Sequence, residues 1–523
     1  MEKENHYPYL GLGQGEGREL TGGSDVNTQS VFAVRRASFV CGIGSVMGTL
    51  GKAARTLVRA ATLGGLVFTV VVPRSHAADY VVTNVNDSGA GSLRQAIIEA
   101  NGSGENDVIT FGVSGTIILS SQLPNIVTVG AAGTLTIQGG GSITISGNNA
   151  VRAFYVNAGG DLTVKGLTVT NGRVFSDDDG GGIYNSGSLT ITDCTVSGNS
   201  AADDGGGVYN DTGAWASITS STFSGNDAGW GGAIDSDGAL GIVGSTFFAN
   251  SAQWGGAIDN WATLDITGTT FSGNTASDDG GAVSNYGGGA LTVTDSIFLD
   301  NTAIDDGGGI YNDSGCTADI IGSTFWGNDA GWGGGIDNDG TVTIFNCTFS
   351  VNSAQWGGAI DNWHTVTVIN STLYENSATS AGGGIYNEPG DTATLSNTIV
   401  ANSPLGGNCS GLITDGGNNL DSAASCGFST NALNNTDPEL GAPTGSPEFL
   451  PLESGSPAID AADNAVCAAP PVNNTSQNGV VRPLDGDGDG SAICDIGSYE
   501  ADDLIFVDGF ELGDTMAWST SVP

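Results

Sequence analysis

Two aspartates that recur one repeat apart are the residues of this sequence with the clearest potential for chemistry. Asp235 and Asp259 each directly follow a Gly-Gly-Ala-Ile motif, and Trp230 and Trp254 precede them by five positions. If the aspartates lie on adjacent parallel strands, about 4.8 Å apart, their separation is close to that of the carboxyl pair in retaining glycosidases. This spacing suggests a glycan-cleaving site as one hypothesis.

The tryptophans around these aspartates are candidate ligand contacts, because outward aromatic rings offer flat apolar surfaces on which sugar rings pack. The first copy of the motif contains Trp230, Trp254 and Trp261, and a second copy contains Asp337, Asp361, Trp332, Trp356 and Trp363. A single catalytic centre seldom occurs twice in one chain, so the duplication favours glycan binding or simple repetition over catalysis. The plainest interpretation is a repetitive face with solvated carboxylates and packed indoles.

A fixed period organises residues 180–402. The branched residue after the glycines recurs every 24 to 27 positions, at Ile183, Val208, Ile234, Ile258, Val283, Ile310, Ile336, Ile360 and Ile385. An apolar residue followed three positions later by Asn recurs in step, as in Phe271 and Asn274. Each period contains three short runs of alternating apolar and polar residues. Such units bury their apolar faces only by stacking. The repeat predicts an all-β, right-handed parallel β-helix with stacked asparagines at one turn.

The segments before the repeats predict an exported protein. Residues 1–46 show no sustained periodicity, and we interpret them as a disordered leader or a mis-assigned start. Residues 47–77 combine basic residues, the short apolar run from Leu63 to Val72 and the small-residue site Ser75-His76-Ala77. These features predict a secretory signal peptide that is too short to span a membrane. Residues 78–179 are predicted to form an amino-terminal cap and irregular rungs.

A short helix is predicted to close the amino-terminal end of the solenoid. Ser92 suits an N-cap with Gln95 at the capping-box position, and Leu93, Ala96, Ile97 and Ala100 share one face. The stretch Ser-Leu-Arg-Gln-Ala-Ile, with Asp-Ser-Gly-x-Gly-Ser before it, resembles the start of CSLREA-domain proteins of bacterial surfaces. Gly91 stands where that family has its leading cysteine. The regular rungs, with Gly-Gly-Ala-Ile and Phe-x-x-Asn, resemble the repeats of polymorphic outer-membrane proteins.

The carboxy-terminal part departs from the repeat. Within residues 403–500, the stretches around Asn408, Gly416 and Gly455, and the segment from Arg482 to Glu500, resemble the choice-of-anchor domain of bacterial β-helix proteins. Residues 501–523 resemble a terminal motif of exported proteobacterial proteins. These resemblances imply the cell surface, the outer membrane or the extracellular space of a Gram-negative bacterium. In an oxidising compartment we expect the disulfides Cys409–Cys426 and Cys467–Cys494, and buried thiols at Cys194, Cys316 and Cys347.

A run of alternating acids and glycines is a candidate calcium site. Asp485, Asp487 and Asp489, with Asp495 further on, resemble the first half of a calcium loop. Ile496 occupies the twelfth position, where such loops carry a bidentate acid. An ordinary acidic turn is the alternative. Calcium is the cofactor that this pattern suggests, and it would also bridge the acidic pairs that precede the glycines.

Charge limits the possible partners. The chain carries 13 basic and 56 acidic residues, and none of its 13 basic residues lies between Arg173 and Arg482. Nucleic acids and anionic membranes are therefore poor partners. With His364 the only histidine after residue 77, a histidine triad or zinc cluster is disfavoured. We predict a monomeric rod without a membrane span after cleavage. It would serve adhesion or glycan binding without catalysis, and a polysaccharide-degrading enzyme of the pectin-lyase-like fold is the alternative.

Overall fold

The computed structural model describes residues 60–63, 66–69, 79–103, 105–127, 133–176 and 178–501. The chain divides into two compact units, Met1–Pro73 and Arg74–Pro523. In the first unit, the described backbone forms two antiparallel strands, Ala60–Leu63 and Leu66–Thr69. The predicted leader, most of the predicted signal peptide and nearly all of the tail lie outside the described residues. No helix in the described ranges is long and apolar enough to cross a membrane.

The second unit confirms the predicted parallel β-helix, in which each rung contributes one strand to each of three columns. The first column is an eleven-stranded parallel sheet. Its strands are Phe154–Val156, Ile183–Asn185, Val208–Asn210, Ile234–Ser236, Ile258–Asn260, Val283–Asn285, Ile310–Asn312, Ile336–Asn338, Ile360–Asn362, Ile385–Asn387 and Cys409–Ser410.

The second and third columns share one ladder. Two long strands, Leu135–Ser146 and Asp161–Thr170, run through both columns. The second column otherwise contains Asp79–Val82, Asp107–Phe111, Ser188–Thr192, Trp215–Thr219, Ala239–Val243, Thr263–Thr267, Ala290–Thr294, Thr317–Ile321, Thr341–Phe345, Thr365–Ile369, Thr392–Ser396 and Ile413–Asp415. The third contains Gly115–Ile118, Thr195–Ser197, Thr222–Ser224, Thr246–Phe248, Thr270–Ser272, Ile297–Leu299, Thr324–Trp326, Thr348–Ser350, Thr372–Tyr374, Ile399–Ala401, Leu420–Asp421 and Leu433–Asn434.

Shorter elements complete the unit. Small fourth strands precede some of the glycine pairs, at Ser251–Ala252, Thr275–Ala276, Thr302–Ala303, Ser353–Trp356 and Ser377–Ala381. An antiparallel pair, Thr444–Gly445 and Glu448–Phe449, and the helix Asn464–Ala468 lie in the carboxy-terminal part. Four parallel strands after residue 402, beginning with Cys409–Ser410, continue the solenoid.

The core consists of stacked columns of similar apolar side chains. The branched residues of the first column, such as Ile234 and Ile258, are fully buried. Phe223, Phe247 and Phe271 stack face to face with centroid separations of 4.8 and 5.0 Å. Because strand spacing is about 4.8 Å, the ring stack follows directly from the in-register pairing. Each rung therefore buries the apolar surface of its neighbours.

The predicted asparagine stack is confirmed and is fully hydrogen-bonded. The Oδ1 of Asn250 accepts from both the backbone N–H and the Nδ2 of Asn226, each at 3.0 Å. Its own Nδ2 donates to the Phe223 carbonyl at 3.1 Å and to Asn274 at 2.9 Å. A second buried ladder, which the sequence analysis missed, runs at the end of the first column, where Asn260 Nδ2 donates to Asn285 at 2.7 Å. Buried amides are tolerated because both ladders supply their partners.

The two glycines of each pair are required for different reasons. The first has a positive φ, +55° at Gly231, and a Cβ there would lie 2.1 Å from the Ile234 carbonyl oxygen. The second has no positive φ, but a Cβ at Gly232 would lie 2.3 Å from a carbonyl oxygen of the next rung, at Gly256. The chain thus folds back tightly onto its own strand and onto the neighbouring rung.

The amino-terminal cap forms as predicted. The helix Leu93–Asn101 begins at Ser92, whose Oγ accepts the Gln95 N–H at 3.3 Å. The helix buries the apolar face that the sequence indicated. The Gln95 side chain bonds Glu99 at 2.9 Å, and so it does not complete a reciprocal capping box.

The carboxy-terminal part folds back along the third column. Asn346 Nδ2 donates to the Thr475 carbonyl at 2.8 Å, and Thr348 Oγ1 bonds the Gln477 side chain at 2.6 Å. Both expected disulfides are present, Cys409–Cys426 and Cys467–Cys494. The other three described cysteines are free and buried, as predicted. Inside this part, Arg482 is buried and lies 3.4 Å from the Glu500 carboxylate.

Candidate tryptophan–aspartate faces

Two columns of residues build the candidate site. One stands immediately before the first glycine and reads Asp179, Asp204, Trp230, Trp254, Asp279, Asp306, Trp332 and Trp356. The other follows the branched core residue and reads Tyr184, Tyr209, Asp235, Asp259, Ser284, Tyr311, Asp337 and Asp361. Bridges between successive rungs keep both columns in register. Wherever a tryptophan precedes the glycine, an aspartate follows the core residue, and two equivalent faces result.

The four candidate carboxyl groups are buried, and the prediction that they face solvent is therefore wrong. Asp235 is 2% exposed, and Asp259, Asp337 and Asp361 are fully buried. They point away from the core, but the glycine loop of the same rung folds over the strand that carries them. A Cβ at Gly255 would lie only 2.8 Å from the Asp259 backbone nitrogen. The sequence pattern identified the direction of these side chains but not the cover above them.

Burial changes the chemistry that these groups can perform. Asp235 and Asp259 lie on adjacent rungs in direct register, as predicted. Burial raises the pKa of Asp235 well above its usual value, and the neighbouring Asp259 carboxylate adds to the effect. Burial likewise raises the pKa of Asp259, although a hydrogen bond from Trp261 opposes the shift. Neither carboxyl group reaches a ligand on the surface, so the geometry does not support a glycosidase pair.

The tryptophans of the first copy form one cluster at the surface. Trp230 and Trp254 stack with centroids 3.9 Å apart, and Trp261 meets Trp230 edge-on at 6.0 Å. Trp261 Nε1 donates to Asp259 Oδ2 at 2.6 Å. The three indoles are half-buried, so each exposes part of its surface while the rest packs against the protein. We call this cluster the first aromatic face.

The second copy has a similar arrangement. Trp332 and Trp356 are paired by a backbone bridge between adjacent rungs. Trp356 lies 4.9 Å from Tyr386, at an angle of 60°. Trp363 Nε1 donates to Asp361 at 3.2 Å, a longer bond than in the first copy. We call these three half-buried indoles the second aromatic face.

One aromatic residue of the first face was missed. Tyr286 occupies the rung after Trp261, in the column two residues beyond the buried acid, and the two rings stack at 5.7 Å. Its hydroxyl donates to Asp279 Oδ2 at 2.6 Å. Aligning the rungs on the buried asparagine would have revealed Tyr286, because Trp261, Tyr286 and Trp363 all directly follow such an asparagine.

A groove runs beside the first aromatic face. It encloses about 830 Å³ and crosses the turns of several consecutive rungs. Small side chains form most of its lining, and Phe175 and Ile304, exposed by 56% and 69%, stand among them. Gly229 and Gln253, which line the groove, directly precede the stacked indoles Trp230 and Trp254 in the chain. The groove and the face are therefore adjacent along two rungs.

The acidic loop of the carboxy-terminal part brings together only some of its predicted ligands. Carboxylate oxygens of Asp485 and Asp487 lie within 4.8 Å of one another and of Asp460, which the sequence analysis did not select. Asp489 accepts a backbone N–H from Ser491. Asp495 accepts the backbone N–H of Asp460 with one carboxylate oxygen and that of Ala501 with the other. Burial raises the pKa of Asp495 to about 7. Calcium binding by this loop stays a prediction.

Comparison with known proteins supports the repeat assignment. Residues 193–211, 268–292 and 295–313 match the Chlamydia polymorphic membrane protein repeat. A comparison with curated proteins finds no significant match. Among solved structures, the crystal structure of pectate lyase Pel9A is similar over 82% of this chain and 98% of that chain, with 15% identity and a TM-score of 0.32. The chain thus carries repeats of the Chlamydia polymorphic membrane protein type on a parallel β-helix.

Proposed function

We propose that this protein is an exported surface protein that binds glycans through its two aromatic faces and does not cleave them. The observation that carries the proposal is the duplication of the face, with Trp230 and Trp254 in one copy and Trp332 and Trp356 in the other. Two equivalent faces four rungs apart suit a ligand that itself repeats. Half-buried indoles are also pre-organised, so that little side-chain entropy is lost when a ligand binds.

The surroundings of the first face favour an extended, uncharged ligand. The adjacent groove spans several rungs and is lined mainly by Ser, Thr, Ala and Gly. Arg173 is the one basic residue along it, and the whole chain has a formal net charge of −43. Long-range repulsion would disfavour polyuronates and other polyanions. A neutral polysaccharide or the glycan of a host surface is the class that fits.

Burial of the carboxyl groups is the reason to favour binding over hydrolysis. Glycosidases need two carboxyl groups that contact the substrate on either side of the scissile bond. Asp259 instead accepts a hydrogen bond from Trp261 beneath the surface. In this proposal the acids therefore hold the indoles in place and do not react.

Location at a bacterial surface is part of the proposal. It rests on the predicted signal peptide, on the resemblance of residues 403–500 to choice-of-anchor domains, and on the repeats shared with Chlamydia polymorphic membrane proteins. Two disulfides fit an oxidising environment. We expect a monomeric rod whose partners are carbohydrates or glycosylated cell surfaces.

A glycan screen of the purified protein tests this proposal, scored for both retention and product release. We expect retention of neutral oligosaccharides without products, and weaker retention after Trp254→Ala and Trp356→Ala. Trp215, which is 48% exposed on the second column, supplies the matched control, because Trp215→Ala removes an indole outside both faces. Released oligosaccharide would establish the enzymatic alternative, and retention that survives loss of both face tryptophans would refute the proposed binding faces.

A further inference from the structure

Asp259 is a buried acid of the first aromatic face that has a hydrogen bond on only one of its oxygens. The residue is fully buried. Oδ2 accepts the Trp261 Nε1–H at 2.6 Å, whereas Oδ1 is buried and has no hydrogen-bond partner among the described residues. A buried carboxylate with an unsatisfied oxygen is costly, and the cost falls when the group binds a proton. The hydrogen bonding around Asp259 therefore favours the neutral acid.

No cation of the protein compensates a negative charge at this position. No lysine or arginine occurs in the sequence between Arg173 and Arg482. Arg152, a buried basic residue of an earlier rung, pairs with Asp178 at 2.9 Å. Asp259 takes part in none of the ion pairs found among the described residues. Binding a proton is therefore the way in which Asp259 becomes neutral in this setting.

The titratable groups around Asp259 add to this preference. Asp235 occupies the same position of the preceding rung, in register with Asp259. The groups of neighbouring rungs that interact electrostatically with Asp259 are Asp204, Asp237, Asp279, Tyr286 and Cys316. All of them are neutral or negative, so none stabilises a carboxylate. Burial is the main cause that raises the pKa of Asp259, and the hydrogen bond from Trp261 opposes the rise. Asp235 receives no such hydrogen bond, and the Asp259 carboxylate raises its pKa further, so Asp259 ionises first.

The loop that covers Asp259 also carries an indole of the face. Trp254 directly precedes Gly255. A Cβ at Gly255 would lie 2.3 Å from the Ile258 carbonyl oxygen and 2.8 Å from the Asp259 backbone nitrogen, so the loop packs closely on the strand. Trp254 in turn stacks on Trp230 at 3.9 Å. An ionised Asp259 needs water, and a movement of this loop that admits water would also displace Trp254 from its stack.

We propose that Asp259 is a proton-dependent switch of the first aromatic face, which keeps its binding geometry while Asp259 is protonated and loses it when Asp259 ionises. This inference rests on the proposed function and adds its regulation. Because the folded-state pKa of Asp259 is raised, the stabilising contribution is complete below the unfolded-state pKa of about 4. It is lost as the pH rises through the folded-state pKa. Glycan binding at the first face is therefore strong in acid and weakens at alkaline pH.

A pH titration of the full chain tests the switch. Every protein carries Trp356→Ala, so that glycan retention reports the first face alone. The reference is compared with Asp259→Asn, which keeps an acceptor for the Trp261 indole and does not titrate. The matched control is Asp265→Asn, which removes an exposed carboxyl group from the same rung. Near-UV circular dichroism, which reports fixed aromatic packing, and retention of neutral oligosaccharides are both followed from about pH 5 to about pH 10.

We expect the near-UV signal of the reference and of Asp265→Asn to decrease in one transition as the pH rises. Retention should be about tenfold weaker one pH unit above the midpoint, because only the protonated fraction is competent to bind. Asp259→Asn should remove this transition and bind at both ends of the range. The same transition in Asp259→Asn as in the reference, or no transition in the reference, would overturn the proposal.

Two further results keep the test decisive. If Asp259→Asn does not fold, Trp261→Phe takes its place, because it removes the hydrogen bond that favours the carboxylate. Its midpoint should lie at a higher pH than that of the reference, and an unchanged midpoint would contradict the switch. Absence of retention at every pH would refute the proposed binding face, whereas the near-UV transition and its loss in Asp259→Asn would still establish the switch in aromatic packing.

Discussion

The two aromatic faces have nearly the same sequence, yet their surroundings make them differ. In the first, Trp230 and Trp254 stack at 3.9 Å, and the Trp261–Asp259 hydrogen bond is 2.6 Å long. In the second, Trp356 contacts Tyr386 at an angle of 60°. The corresponding bond from Trp363 to Asp361 is longer, at 3.2 Å. The hydrogen bond between indole and buried carboxyl group is therefore shorter in the first face.

The rungs on either side explain this difference. Tyr286 follows Trp261 in its column and stacks on it at 5.7 Å. In the second copy, Glu388 follows Trp363 in the same column and offers no ring. The sequence of one repeat thus determines its backbone and its core residues. The contacts of its surface side chains depend also on the residues of the two neighbouring rungs.

The largest expected effect tests whether both copies need a glycine at the first position of the glycine pair. Gly231→Ala and Gly333→Ala each place a Cβ 2.1 or 2.2 Å from a carbonyl oxygen at a positive φ. Strain at such a φ costs about 1–3 kcal/mol, and overpacking adds about 1–3 kcal/mol. We expect both variants to lose roughly 3–5 kcal/mol of unfolding free energy, measured by urea denaturation. Gly241→Ala, where a Cβ meets nothing within 4 Å, is the control, and a similar loss there would refute this explanation.

A smaller effect concerns Asp279, the acid beside the first aromatic face whose carboxyl group accepts the Tyr286 hydroxyl. Burial and the neighbouring Asp306 carboxylate raise the pKa of Asp279 from 3.8 to about 8. Because the folded-state pKa is raised, the stabilising contribution is complete below the unfolded-state pKa of about 4. It is lost as the pH rises through 8. We expect the unfolding free energy to decrease between these limits, by about 1.4 kcal/mol per unit of pKa shift at most.

The variant Asp279→Asn isolates this contribution. Asparagine still accepts the Tyr286 hydroxyl but does not titrate, so the variant should show a flatter dependence of unfolding free energy on pH. Denaturation series at about pH 5 and pH 8 compare it with the parent protein. An unchanged slope would mean that other buried acids, such as Asp259, determine the pH dependence.

The smallest expected effect compares the two indole hydrogen bonds directly. Trp261→Phe and Trp363→Phe each remove the donor to a buried carboxyl group and preserve an aromatic ring. Loss of a hydrogen bond to a buried group costs about 1–3 kcal/mol. We expect the larger loss of unfolding free energy for Trp261→Phe, because its hydrogen bond is 2.6 Å long and that of Trp363 is 3.2 Å long. Equal losses would mean that the two faces do not differ energetically.

Much of the fold could be predicted because the same residue type recurs at the same position of each repeat. The recurrence of Ile234 and Ile258 gives the period, and the recurrence of Asn250 and Asn274 gives the buried turn. Stacking in register then follows from strand pairing alone. The requirement for the second glycine of each pair is not visible in the sequence, because its constraint comes from the adjacent rung and not from its own φ.

The site was less predictable for a physical reason. Alternation along a strand tells which side chains leave the core, and Asp235 and Asp259 do leave it. It does not tell what covers them, since the cover comes from a loop that folds back over the strand. The contact between Asn346 and Thr475 was invisible for a similar reason. It joins segments separated by more than a hundred residues that share no periodic pattern.

The number of short glycan molecules bound per chain tests the central claim most directly, because the claim is that each of the two faces binds a glycan. Calorimetric titration with a retained short oligosaccharide should give two sites for the parent protein and for Trp215→Ala. Trp254→Ala and Trp356→Ala should each give one site. Two sites in both face variants, or release of shorter products during the titration, would contradict the account.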